Sequence, residues 1–100
     1  EQDPEYLEAY MQLALLYMQN QPKLAHQYLN NVLQLDQKHI EALYARGMLV
    51  QEQGYPDSAL IDYEKILSID ANHVDATYNT GYVHLLEKRY DDAVLWFTKV

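Results

Sequence analysis

The sequence predicts an all-α protein, a solenoid of three stacked helix–turn–helix units, and two observations carry that reading. The first is a repeat. The segment Ile40 to His73, IEALYARGMLVQEQGYPDSALIDYEKILSIDANH, returns from Val74 as VDATYNTGYVHLLEKRYDDAVLWFTKV, with Gly47 recurring as Gly81 and Ala59 as Ala93, each 34 residues on. Leu7 to His39 fits the same script with one residue missing near its middle turn, so Ala14 matches Gly47 and Ala25 matches Ala59. The second is periodicity. Apolar residues recur at steps of three and four, and no stretch alternates at period two for long enough to form a strand. A repeat of this length marks stacked supersecondary units, here at about 7–39, 40–73 and 74–100.

The elements follow in order. Glu1 to Tyr6, with Asp3-Pro4 where Asp36-Gln37 and Asp70-Ala71 fall later, reads as the tail of a preceding unit or the entry to the first. From Leu7 to about Asn20, the set Leu7, Tyr10, Met11, Ala14, Leu15, Tyr17 and Met18 gives a helix apolar on more than one face, as expected of one packed on two sides. Asn20-Gln21-Pro22 breaks it, and Lys23 to Leu35 resumes helical spacing through Leu24, Ala25, Tyr28, Leu29, Val32 and Leu33. The second pair runs from Ile40 to Gln53 and from Asp57 to Ile69 around a Gly54-Tyr55-Pro56 turn; the third runs from Val74 to Glu87 and from Asp91 to Val100. Asp57 and Asp91 are placed to cap the second helices through their carboxylates.

A mid-helix glycine costs about 1 kcal/mol relative to alanine. Gly47 and Gly81 recurring on the repeat therefore imply a partner helix too close for a side chain, with Ala25, Ala59 and Ala93 answering on the second helices. Leu29, Tyr63 and Phe97 then fill the space beside that contact, and Val32, Ile66 and Val100 seal each unit to the next.

Composition removes several functions. The formal charge is -8, and the seven basic residues form no stripe, which disfavours nucleic acid and anionic membranes. No apolar run approaches the roughly 20 residues that span a bilayer, so direct membrane insertion is not expected. There is no cysteine, hence no disulfide framework or thiol chemistry, and the compartment stays open. The opening EQDPEY is unlike a secretory leader. His26, His39, His73 and His84 never lie three or four apart, so no metal site is expected. Asp70 to Asp75 starts like a calcium loop but lacks its glycine and closing glutamate. Ser58 and Ser68 have no histidine-plus-acid arrangement beside them, and the three glycines are isolated rather than a phosphate loop. Neither an enzyme nor a cofactor is expected.

The residues that repeat carry a family resemblance. Leu43, Gly47, Gly54-Tyr55, Ala59, Tyr63 and Asp70 in the middle unit, Gly81, Tyr90, Ala93 and Phe97 in the last, and Tyr10, Leu13, Tyr17 and Ala25 in the first resemble the tetratricopeptide repeat over nearly the whole chain. Ala14 stands in for the glycine of the first unit; Arg46 and Thr80 replace the pattern's leucine, and Gln37 and Ala71 its proline. The resemblance implies a right-handed α-α superhelix whose first helices line a concave groove. It also implies a scaffold that holds a peptide or partner helix. By position the groove residues are Glu8, Met11, Leu15 and Met18; Glu41, Tyr44, Met48 and Gln51; and Asp75, Tyr78, Asn79 and Tyr82. Met and Tyr supply adaptable apolar contact, and one carboxylate per unit favours partners that mix apolar residues with Lys or Arg. The sub-family that clamps chaperone C-termini needs Lys, Arg and Asn on these faces. Met11, Leu15, Ala45 and Asp75 stand there instead, with only Asn79 similar, so a carboxylate clamp is not expected.

The chain stops within its last helix, leaving Val94, Leu95, Phe97 and Val100 with nothing to follow. It is expected to be a piece of a longer array whose exposed terminal helices promote homo-oligomers. A structural or self-associating module is therefore the alternative to the peptide-binding scaffold.

Overall fold

The computed structural model describes residues 4–100. They form six helices: α1 (Pro4–Tyr17), α2 (Pro22–Leu35), α3 (Ile40–Glu52), α4 (Pro56–Ile69), α5 (Val74–Leu86) and α6 (Tyr90–Phe97). Each packs on its neighbours in sequence, and the stack measures 44 × 28 × 16 Å. Pro4 to Tyr6, read as a tail or entry, belong to the first turn of α1, while Glu1 to Asp3 lie outside the described residues. One buried cluster runs through the stack from Met11 and Ala14 to Ala76 and Val83.

The helix starts differ from expectation. Asp57 and Asp91 are not N-caps; those positions fall to Tyr55 and Arg89, neither of which makes a side-chain cap bond. The first helix does end ahead of Asn20-Gln21-Pro22, but Pro22 and Pro56, read as part of the break and of the turn, are the opening residues of α2 and α4. Proline fits there because the amide it lacks would have no intrahelical partner anyway, and its fixed φ suits the helix. Asp57 and Asp91 sit inside the first turn, where a carboxylate still meets the positive end of the helix dipole. Side-chain caps fall instead to two histidines that the sequence reading left as turn residues. His39 Nδ1 accepts from Ala42 N–H at 3.1 Å and His73 Nδ1 from Ala76 N–H at 3.0 Å, opening α3 and α5 alike. The last helix closes at Phe97 rather than Val100.

The turn between helices also repeats. Gly54 has φ 92°, and Lys88, its counterpart one unit later, has φ 63°. Lysine therefore holds a left-handed conformation that glycine adopts without penalty.

The repeating glycines have a specific neighbour. A Cβ on Gly47 would lie 2.6 Å from Tyr63 Cε1, and one on Gly81 would lie 2.7 Å from Phe97 Cε1. The space is thus taken by an aromatic ring of the second helix, where the sequence suggested the helix itself. In the first unit the same positions are Ala14 and Leu29, both fully buried: a larger small residue faces a smaller large one.

Arg46 replaces an apolar residue of the repeat pattern for an evident reason. Its Nε and Nη2 donate to both oxygens of the buried Asp62 carboxylate at 2.9 and 2.8 Å, and its Nη1 donates to Asn30 Oδ1 at 2.8 Å. One guanidinium on α3 thereby joins α2 to α4 in a bidentate pair of the strong kind. Thr80, at the matching site, folds its hydroxyl back to donate to Ala76 C=O at 2.7 Å.

Two stability outcomes follow. Gly47→Ala gains about 1 kcal/mol of helix propensity but must displace the wholly buried Tyr63 ring, an overpacking cost of roughly 2–3 kcal/mol, so the melting temperature should fall by several degrees. Adding Tyr63→Leu, which recreates the Ala14/Leu29 pair, should relieve that clash and give a favourable coupling in a double-mutant cycle; additive losses would contradict the fit. Lys88→Gly should raise the melting temperature by about 4–8 °C through release of roughly 1 kcal/mol of backbone strain, and a decrease would show that Lys88 is held there without penalty.

Candidate binding groove

The expected groove residues do not all share one fate. Glu8, Leu15, Glu41, Asp75, Tyr78 and Tyr82 are exposed; Met18, Tyr44, Met48, Gln51 and Asn79 are half-buried. Met11 is a correction. It is 1% exposed and belongs to the core cluster, so it offers no surface to a ligand. An unbranched thioether can turn inward and fill a gap, whereas the tyrosines at the matching sites keep a hydroxyl that needs a polar partner.

A hydrogen-bonded network assembles the central part of this face. Asn79 Nδ2, on α5, donates to Tyr44 Oη on α3 at 3.0 Å and to Tyr63 Oη on α4 at 3.4 Å. Tyr63 in turn donates to Gln51 Oε1 at 2.8 Å. Three helices of two units are thereby tied together by partly buried hydrogen bonds. Tyr44 also packs beside the His73 ring, centroids 6.0 Å apart, next to the cap of α5. Beyond the network, Tyr78 and Tyr82 stack with ring planes 9° apart and centroids at 6.4 Å, and Phe97 backs Tyr78 at 5.4 Å. Glu8, on α1, accepts from Gln12 of its own helix and is not joined to this network.

The reading of the sequence missed Tyr63 and Phe97 as parts of this face, because both lie on second helices. For Tyr63 a signal existed: a buried tyrosine where the first unit has leucine needs a partner for its hydroxyl. Asn79, the one residue similar to a carboxylate clamp, directs its amide hydrogens at two tyrosines.

The network perturbs its phenols. Burial pushes the Tyr63 phenol well above its ordinary value of 10.0, with the Asn79 hydrogen bond opposing and the Tyr44 and Asp62 charges adding. Tyr44 is raised too, by burial first and then by Asp75, with Asn79 again opposing.

One depression lies elsewhere. It holds about 560 Å³ among Asn30, Leu33, Gln34, Gln37, Leu43, Arg46 and Lys65, and includes none of the tyrosine face. Arg46 there is already committed to Asp62 and Asn30, so the hollow offers no free guanidinium. Among the described residues no helix is long and apolar enough to cross a membrane, and no group of three or more His, Cys, Asp or Glu side chains is arranged to hold a metal ion.

Comparison with known proteins agrees with this architecture. Residues 40–73 match the model of the tetratricopeptide repeat, and the chain has the tetratricopeptide-repeat superhelical fold. No curated protein sequence matches it significantly. Among solved structures it is similar to MamA, at 28% identity and TM-score 0.86 over 93% of this chain and 51% of that one. It is likewise similar to YrrB, described as a TPR protein with an unusual peptide-binding site, at 29% identity and TM-score 0.83 over 93% of this chain and 48% of that one. A further MamA structure shares the fold at 24% identity and TM-score 0.85, over 97% of this chain and 57% of that one. The chain thus spans about half the length of these structures.

The pH dependence of stability should report the buried phenols. In the unfolded chain Tyr63 ionises near its ordinary 10.0, while in the fold it stays protonated to higher pH. The stabilisation this gives is complete below pH 10 and is lost as pH rises beyond it. Tyr63→Phe should cost about 1 kcal/mol at neutral pH through the lost hydrogen bonds, and its melting temperature should fall less steeply than wild type above pH 10. Parallel alkaline profiles, followed by circular dichroism, would place this phenol in contact with water.

Proposed function

We propose that this chain is a non-enzymatic interaction scaffold whose tyrosine-lined face binds a protein segment carrying apolar residues interspersed with Lys or Arg. The carrying observation is the stacked Tyr78–Tyr82 pair. These two aromatic side chains stay exposed, Tyr78 is backed by Phe97, and the exposed Asp75 stands three residues before Tyr78 on the same helix. Exposed contiguous apolar surface with a polar rim marks an interaction site, and Tyr is favoured there because it offers a large area with few torsions to freeze. A guanidinium or ammonium group can lie over the ring faces and gain from both the aromatic quadrupole and the acidic surroundings. The general scaffold role is supported by the tetratricopeptide fold, and the peptide-binding site described for YrrB, at 29% identity, supports binding by such an array. Binding is the whole of the proposed activity.

The test is a two-dimensional NMR titration with a twelve-residue peptide alternating Leu with Lys/Arg, set against its counterpart with Glu at every basic position. The basic peptide should shift the amides around Tyr44, Tyr78, Asn79 and Tyr82, and bind more weakly as salt is raised. The Tyr78→Ala/Tyr82→Ala double variant should keep its helicity and lose about tenfold in affinity. Equal binding of the acidic peptide, or shifts confined to α2 and α4, would overturn the assignment.

A further inference from the structure

The hollow between α2 and α4 lies inside the stack: α3 forms its floor, and its two walls are packed in turn on α1 and α5. Its volume, about 560 Å³, falls in the range of roughly 300–1,000 Å³ that holds small molecules. Its chemistry departs from that of the chain as a whole, which has 15 acidic residues, none of them lining this hollow. Asn30, Gln34, Gln37 and Lys65 stand exposed around it, over Leu33 and Leu43, which are 8% and 1% exposed. Asn30 Oδ1 accepts from Arg46 Nη1 at 2.8 Å, which leaves the Asn30 amide hydrogens for a ligand. Lys65 has no ion pair among the described residues, because Arg46 takes both carboxylate oxygens of Asp62, the acid three residues before it. The repeat supplies a contrast. The matching hollow between α4 and α6, about 450 Å³, has Leu67, Thr77 and Lys99 in place of Leu33, Leu43 and Lys65, each 34 residues on. There Trp96 stands at the position of Asp62, and the Lys99 ammonium lies 4.0 Å over its ring. Glu64 and Ala71 stand at the positions of Asn30 and Gln37. Only the α2–α4 hollow joins an unengaged ammonium to carboxamide donors.

From this donor set we infer that the α2–α4 hollow binds a carboxylate carried on a short aliphatic stem, as in a free dicarboxylic acid or a glutamate side chain. The carboxylate accepts from Lys65 Nζ and from the amides of Asn30 and Gln37, while the methylene stem lies over Leu33. Hydrogen bonds to an ionised oxygen are roughly twice as strong as neutral ones, so the anion is favoured over its amide. Arg46 is a positioning residue: Asp62 neutralises its charge, and its remaining contact holds Asn30 by the oxygen. The formal charge of -8 opposes the approach of any anion, so the affinity is expected on the order of 1 mM. The hollow includes none of the tyrosine face, so neither assignment depends on the other.

The experiment follows the backbone and side-chain amide resonances of the 100-residue chain as glutarate is added at constant ionic strength, with neutral glutaramide as the control. Glutarate should shift the side-chain NH2 signals of Asn30 and Gln37 and the backbone amide of Lys65 saturably, leaving Tyr78 and Asn79 in place. Lys65→Gln should weaken this binding roughly fivefold. Asn30→Asp keeps the oxygen that Arg46 needs and should abolish it. Both side chains are exposed, so melting curves of the variants should match wild type. A Leu/Glu peptide separates the sources. If it moves the same resonances at lower concentration than glutarate, the site takes a partner's glutamate; if glutarate acts at the lower concentration, it takes a free acid. Equal shifts with glutaramide, shifts spread over the whole surface, or an affinity unchanged in both variants would overturn the proposal.

Discussion

The seating of the Tyr63 ring against Gly47 is the contact on which both the stack and its surface depend. A Cβ on Gly47 would come within 2.6 Å of the ring, so the glycine admits the aromatic side chain into the space between α3 and α4. Once seated, the ring is fully buried and its hydroxyl emerges where Gln51 and Asn79 can reach it. The same side chain thus fills the core of the middle unit and ties that unit to the next one. A leucine there, as in the first unit, would satisfy the packing but leave Asn79 and Gln51 without their shared phenol. That difference explains why the polar network spans the second and third units and does not reach α1.

The architecture was legible because the repeat is a constraint on many residues at once. A glycine every 34 residues in mid-helix, with an alanine answering on the partner helix, has few physical explanations besides close packing. Helix boundaries were less legible. The expectation that Asp57 and Asp91 cap their helices rested on residue type, yet Pro56 fixes φ one residue earlier and draws the helix start with it. The histidine caps were hidden for the opposite reason: His39 and His73 are uncommon cap residues, and only the fold brings each Nδ1 within 3.1 Å of an amide.

The candidate groove was legible by position and not by depth. Register along the first helices assigns a face to each residue, but burial depends on the side chain that occupies it. Met11 turned inward while its counterparts Tyr44 and Tyr78 did not, since a thioether gains nothing from water and a phenol must keep a polar contact. Arg46 likewise looked like a weakened repeat position. Its function became clear only with Asp62 and Asn30 in place, residues 16 positions away on either side that no helical period connects.

The acidic balance bears on the proposed binding face. Glu8, Glu41 and Asp75 place one exposed carboxylate per unit at the same position of the first helices. Towards a basic segment this field is attractive and speeds encounter. Salt screens that attraction but leaves the burial of apolar side chains against the tyrosine rings almost untouched. The dependence of binding on ionic strength therefore separates the share carried by the carboxylates from the share carried by Tyr44, Tyr78 and Tyr82.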